Sequence, residues 1–404
     1  MKKIISSAFL LLFITNVFSQ EKFSMIGKWL GKFLLQDGKE IPFIFEITNS
    51  NKKPFLSFIN DTEKYPGGKV VRKGDTLFIA LDQFDNEIVF GINKDQTLSG
   101  YFRKQNKTGT ASLVTASKNL KKHGVIELAP IADITGKYAV EFTNDIGKKV
   151  KSVGLFKQKG NELSATFLRV SGDSRYSFGD INGNRFNLSV FIGAGPLLFT
   201  GTINNEGTII GEQIGLKSKQ TFIATKNENA ALPSSKELTI INAPDKGFNF
   251  SFKNIEGKTI TLNDPRYLNK PVIVTIGGTW CPNCADEALF LSKWYKSNKQ
   301  RGIEIVTIQF EVENNFEYAQ KTMRRFKQKF DIQYEMVFGG ISENAKVVEA
   351  ITGLEKFYGF PTTIFLDKNR NVTKIHTGFS GPATGKYYDQ FIKEFNEEVN
   401  KLLQ

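Results

Sequence analysis

Cysteine is almost absent, with two residues in a chain of 404. That excludes a disulfide-stapled scaffold, which needs several bridges. Histidine is equally scarce. A structural zinc ion would need Cys281, Cys284, His123 and His376 together, and the two histidines stand isolated in distant segments. No metal and no cofactor is therefore expected. After the first twenty residues no apolar run approaches the ~20 residues of a membrane-spanning helix. Long runs of one charge are also missing. The formal net charge is +13, yet the basic residues stand singly or in pairs such as Lys121-Lys122 and Arg324-Arg325. With no basic arm and no nucleic-acid motif, a solvated basic surface is expected and nucleic acid is excluded as a partner.

What is present is a globular composition, 40% apolar and 24% charged, with 36 phenylalanines. The length calls for two or three domains. Lys2 and Lys3 open a mostly apolar stretch that ends at Val17-Phe18-Ser19. Residues 1–20 are expected to be a secretory signal, with the mature chain exported to a bacterial periplasm. An uncleaved N-terminal anchor is the alternative. No cysteine lies near that end for a lipid anchor.

Residues 22–120 read as a β domain. Ile41, Phe43, Phe45 and Ile47 alternate, as do Leu77, Ile79 and Leu81, the pattern of half-buried strands. Turn signals separate them at Asp37-Gly38, Pro66-Gly67-Gly68 and Gly74-Asp75. Residues 131–227 repeat the theme. Gly27-Lys28-Trp29 with Phe33 matches Gly136-Lys137-Tyr138 with Phe142, and the segment Ile92 to Gly100 matches Ile203 to Gly211. Two copies of one antiparallel sandwich or barrel are expected, with Asn182-Gly183 as a hairpin turn. Neither unit carries a catalytic set. Each reads as a scaffold or as a docking surface.

Residues 228–236 read as a linker. From 237 to 404 strands and helices alternate, which predicts an α/β domain with a mixed sheet. Its helices are expected at 286–300, with Ala288, Leu291 and Tyr295 on one line and Leu289 beside them, at 316–330 and at 343–352. A last one carries Tyr388, Phe391, Ile392, Phe395 and Val399 on one face. The buried strand Val272 to Ile276 leads into Gly277-Gly278-Thr279-Trp280-Cys281-Pro282-Asn283-Cys284. Cys281 thus stands where a helix begins, and free N–H groups and the macrodipole there favour a thiolate. Its thiol pKa is expected below the free value of about 8.5. Pro282 suits an early helical position. Cys284, one turn on, is the resolving thiol of a mixed disulfide made at Cys281. An inert bridge over so short a loop would constrain the unfolded chain little.

With these residues in place, the segment from Leu238 onward resembles the TlpA-like thiol–disulfide oxidoreductases of the thioredoxin superfamily. The resemblance lies in Ala243-Pro244-Asp245, Gly257 to Leu262, Lys270-Pro271, the Trp280–Cys284 motif, and Tyr358-Gly359-Phe360-Pro361-Thr362-Thr363 ahead of Ile364 to Asp367. It covers two-fifths of the chain and neither β unit. It implies a redox-active Cys281–Cys284 disulfide and a cis-proline at Pro361 facing it. It also implies a Phe360-Pro361-Thr362 loop that pairs with an extended substrate, and Trp280 as a shield. Glu287 would be a partly buried acid that handles the proton of Cys284; a carboxylate on the helix macrodipole is the other reading. Partners would be protein thiol or disulfide substrates and an upstream redox protein. Leu289 stands where a helix-kinking proline is common, and Gly277-Gly278 replaces a bulky pair, which predicts an open or mobile site floor. Two further readings stand beside a reductase: a peroxiredoxin-type peroxidase, and a binding protein whose β domains do the work.

Overall fold

The computed structural model describes residues 23–50, 53–118, 120, 128–234, 238–242 and 247–404. The expected signal segment 1–20, Lys121-Lys122, His123 and Ala243-Pro244-Asp245 lie outside the described residues.

The alternation in the first β unit buries one side of each strand. Ile41, Phe43, Phe45 and Ile47 are at most 2% exposed. They belong to the second of eight strands: β1 (Gly27–Leu34), β2 (Glu40–Ser50), β3 (Lys53–Asn60), β4 (Glu63–Lys73), β5 (Thr76–Leu81), β6 (Asn86–Ile92), β7 (Leu98–Lys104) and β8 (Ser112–Ser117). Each pairs antiparallel with the next, and β1 pairs with β8, so the sheet closes into a barrel. Closure leaves no free edge.

The second unit closes in the same way. It comprises β9 (Gly136–Asn144), β10 (Lys149–Lys159), β11 (Glu162–Arg169), β12 (Gly172–Asp173), β13 (Ser177–Asn182), β14 (Arg185–Val190), β15 (Leu197–Ile203), β16 (Ile209–Ile214) and β17 (Lys219–Lys226). Eight of these form the ring, closed by β17 on β9, while the two-residue β12 folds back on β11 as a hairpin. Equivalent residues do equivalent work in both barrels. Gly27 and Gly136 open the first strands at φ 116° and 139°, values that suit glycine alone. Gly100 and Gly211 each lie so close to a neighbouring carbonyl, of Val89 and Thr200, that a Cβ would clash.

Both interiors are filled by rings. In the first barrel Trp29, Phe33, Phe43, Phe45, Phe58 and Phe90 form the core, and Phe191 joins them from the β14–β15 connection of the second. Its ring centroid lies 4.6 Å from that of Phe58 and 4.9 Å from that of Phe33. The Asn60 amide anchors the Phe191 main chain, accepting from its N–H at 3.1 Å and donating to its carbonyl at 3.1 Å. The second barrel thus plugs the first.

The third domain is built on β18 (Ile240–Ile241), β19 (Ser251–Asn254), β20 (Thr259–Thr261), β21 (Val272–Gly277), α1 (Pro282–Asn298), β22 (Glu304–Glu311), α2 (Phe316–Phe330) and β23 (Glu335–Ile341). It continues with α3 (Asn344–Ala350), β24 (Leu354–Lys356), β25 (Thr362–Leu366), β26 (Val372–Thr377) and α4 (Lys386–Leu402). Its main sheet runs β20-β19-β23-β22-β21-β25-β26; β21, β22 and β23 are parallel and β25 opposes β21. The sheet is mixed, and helices α1, α2 and α4 share one core with the residues of its near face. Leu289 departs from the expected helix face. It is 40% exposed, because one residue past Ala288 the helix has turned by about 100°. No helix among the described residues is long and apolar enough to cross a membrane.

The third domain sits against both barrels. Arg325 of α2 pairs with Asp85 of the first barrel, and Lys329 donates to the Pro66 carbonyl at 3.1 Å. Arg175 of the second barrel pairs with Asp286 of α1 and with Glu63 of β4. The stretch read as a linker is tied down at Ala230, which packs with Val153 and Leu168.

Candidate active site

Strand β21 is buried along its whole length inside the sheet, between β22 and β25. The chain leaves its carboxyl end through Gly278 and enters α1 at Pro282, four residues earlier than apolar periodicity indicates. Cys281 is the N-cap: its backbone is extended, and its Sγ accepts the Cys284 N–H at 3.2 Å. The sulfur takes the place of a capping hydroxyl and satisfies one of the free donors at the helix start. Cys281 and Cys284 are joined as a disulfide with Cα atoms 5.2 Å apart. They are 6% and 4% exposed.

The floor beneath the motif is filled rather than open. A Cβ on Gly278 would collide with the Trp280 indole and the Phe310 carbonyl. Those two groups are themselves joined, the indole N–H donating to the carbonyl at 2.9 Å. The glycine makes room for that bond, which corrects the expectation of a looser floor.

Two segments far apart in the chain meet here. The Phe360–Pro361 peptide is cis. Phe360 packs edge-on against Trp280 at 5.6 Å and against Phe357 at 5.0 Å. The Pro361 carbonyl accepts the Gly378 N–H at 2.8 Å. Thr362 is fully buried, and its hydroxyl donates to the Gly359 carbonyl at 2.8 Å; its side chain braces the loop from within.

Glu287 lies on the buried side of α1, 3% exposed, with one oxygen accepting the Thr363 hydroxyl at 2.6 Å. Burial pushes its carboxyl up to about 7, against the pull of that hydrogen bond. Glu287, Cys284, Gly277, Thr275, Thr307 and Gln309 help to wall a cavity of about 10 Å³, on the scale of one water. The side-chain amide oxygen of Gln309 in that wall has no hydrogen-bond partner among the described residues.

A second buried carboxyl escaped the sequence reading. Glu311, fully buried at the end of β22, accepts the Thr279 N–H at 3.1 Å and the Thr279 hydroxyl at 2.8 Å. Burial pushes it up to about 7. The available signal was an acid at the carboxyl end of a buried strand whose other charge, Glu304, lies at its opening end; sites of α/β sheets gather at the carboxyl end. His376 on β26 packs against Phe391 at 5.1 Å, and burial pushes it down to about 4. The contacts of Asn283 and Asp286 with the second barrel carried no sequence signal. Asp173 donates its N–H to Asn283 Oδ1 at 3.4 Å, and Arg175 reaches Asp286.

Residues 243–375 match the AhpC/TSA family model. A thiol-disulfide oxidoreductase ResA of Halalkalibacterium halodurans is 26% identical over 40% of this chain and 80% of its own length. The ResA of Geobacillus thermodenitrificans is 30% identical over 34% of this chain and 67% of its own. Among solved structures, a thiol:disulfide interchange protein of the thioredoxin family from Chlorobium tepidum is similar, at 22% identity. It covers 39% of this chain and 95% of its own, with a TM-score of 0.28. Two cysteines joined across a helix start, a cis-proline loop beside them and this sequence similarity converge on one conclusion: through its C-terminal domain the chain belongs to the TlpA-like thiol–disulfide oxidoreductases and is an enzyme of that class.

Proposed function

We infer that the chain is an exported reductase of protein disulfides. The observation that carries the exchange chemistry is the buried Glu287 carboxyl, which shares a cavity wall with Cys284 and is raised to about 7, near neutrality; the reducing direction follows the family resemblance. In the reduced enzyme the Cys281 thiolate attacks one sulfur of a substrate disulfide, and the other sulfur leaves as a thiolate. Cys284 gives its proton to Glu287 and attacks Cys281 Sγ. The Cys281–Cys284 disulfide forms and the second substrate sulfur is released. Two electrons have passed to the substrate, and an upstream dithiol protein returns them. Trp280 and the Phe360-Pro361-Thr362 loop hold the substrate segment, with Thr362 acting through the shape of the loop. The chain is organised as a signal at 1–20, barrels at 22–120 and 131–227 copied from one unit, a linker at 228–236 and the redox domain at 237–404. The barrels present a docking surface. Export through the signal segment would put the site in an oxidising compartment.

The test is a Cys284→Ser variant, which is expected to accumulate a mixed disulfide through Cys281 when offered a protein disulfide. An adduct formed instead through Cys284 in Cys281→Ser reverses the two roles. A peroxidase is the second reading, favoured by the AhpC/TSA match. Peroxide consumption by the reduced protein decides between them.

A further inference from the structure

We propose that the β11–β12 hairpin of the second barrel selects the substrates of the Cys281–Cys284 pair. It admits disulfides carried on extended, apolar-flanked segments and excludes those on folded surfaces. The proposal rests on the reading of the chain as a protein-disulfide reductase.

Hairpin tips ordinarily project into water. This one does not. Val170 and Ser171 are half-buried and Gly172 is buried. Gly172 has φ 140°, and a Cβ there would clash with the side chain of Asn283, which stands between the two cysteines. On its other side the tip meets Gly378, where a Cβ would strike the Val170 carbonyl. The Gly378 N–H is the donor to Pro361. The tip therefore wedges between the cysteine motif and the neighbour of the cis-proline loop, closing one flank of the disulfide.

The wedge is anchored from three directions. The Asp173 carboxylate accepts the Gly381 N–H at 2.7 Å and the Arg175 N–H at 2.7 Å. The Arg175 guanidinium, 9% exposed, pairs with Asp286 of α1 and Glu63 of the first barrel, and lies 5.2 Å from the Tyr65 ring. Phe191 packs the second barrel into the core of the first, so the hairpin is braced by both. The flank left to a substrate is aromatic, formed by half-buried Trp280 and Phe360 with Phe357 behind them. Exchange requires the incoming sulfur to reach bonding distance, about 2 Å, of Cys281 Sγ. A sulfur on a convex folded surface would bring that surface into the second barrel first. A sulfur on an extended strand can lie along the aromatic flank.

The test uses the full reduced chain on three disulfides. The first joins two linear peptides flanked by leucine and phenylalanine, the second is native ribonuclease A, and the third is the small aromatic disulfide 5,5′-dithiobis(2-nitrobenzoate). Wild type is expected to prefer the peptide over ribonuclease at least tenfold in kcat/KM. Arg175→Ala should cut that preference severalfold, Arg175→Lys should restore at least half of it, and the small disulfide should be reduced at an unchanged rate by all. Gly172→Ala, which pushes the tip off Asn283 without stranding a buried charge, should cut the preference too, and it decides the question if Arg175→Ala does not fold. A preference unchanged within twofold in the variants, or its absence in wild type, overturns the proposal. Failure of wild type to reduce any of the three would instead sink the reductase reading beneath it.

Discussion

At the scale of single residues, Glu287 is where burial and chemistry meet. Its carboxyl titrates near 7 in the fold against 4.5 in the open chain. Below 4.5 both states hold the proton and nothing is lost. As pH rises toward 7 the unfolded chain releases it while the native state keeps it, so stability falls across that window, then levels off. The whole fall is on the order of 3 kcal/mol. In the oxidised protein, Glu287→Gln is therefore expected to gain stability relative to wild type between pH 4.5 and 8. Glu311 titrates in the same range and cancels in the comparison. Urea unfolding at the two pH values checks it, and an equal difference at both would refute the assignment. In single-turnover reduction the closing step should speed up through pH 7 in wild type and lose that inflection in the variant. Glu287 was legible through the family resemblance, which implies an acid three residues after Cys284. Its partner Thr363 was not, since only the sheet register brings β25 beneath α1. The burial of Thr362 was equally hidden, because a threonine next to a site proline reads as available until the loop closes on it.

At the scale of elements, the turn from β21 into α1 depends on Gly278. An added methyl must displace either the Trp280 indole or the Phe310 carbonyl. Gly278→Ala is expected to cost about 1–3 kcal/mol, the usual range for overpacking, and to alter tryptophan fluorescence as the indole hydrogen bond is strained. An unchanged urea midpoint would show that the contact yields freely. Apolar periodicity alone starts α1 four residues late, because it cannot mark a first turn whose cap is a sulfur; Cys281 and Pro282 mark the start that the structure shows. The strands fared better. Alternation locates β2 and β5 well, since one side of each faces a core of rings, and it leaves undecided whether the sheet closes. Closure depends on β1 meeting β8 across the whole unit, which no local pattern records.

At the scale of the molecule, Phe191 is the ring by which the second barrel enters the core of the first, beside Ile192, Leu198 and Ile214. Phe191→Ala removes a ring buried among Phe33, Phe43, Phe58 and Phe102. A loss of about 3–5 kcal/mol is expected, with barrel unfolding splitting into two transitions that calorimetry can resolve. A single unshifted transition would mean that the plug contributes nothing. Two like units were legible because Gly27-Lys28-Trp29 and the segment Ile92 to Gly100 have counterparts at Gly136-Lys137-Tyr138 and Ile203 to Gly211. The docking was not. Phe191 follows the alternating Phe186, Leu188 and Val190 out of phase and enters a different barrel from theirs. Arg175 is one of 54 scattered basic residues, and nothing in its neighbourhood marks it as the one that joins three domains.

The hairpin tip at Val170 and Ser171 belongs to a different domain from the cysteines it borders. Reactivity and selectivity are thereby written in separate stretches of the chain and can drift independently. A lengthened or shortened tip would hand the same sulfur chemistry to a new clientele, while the thiols, the proton handler and the proline loop stayed as they are.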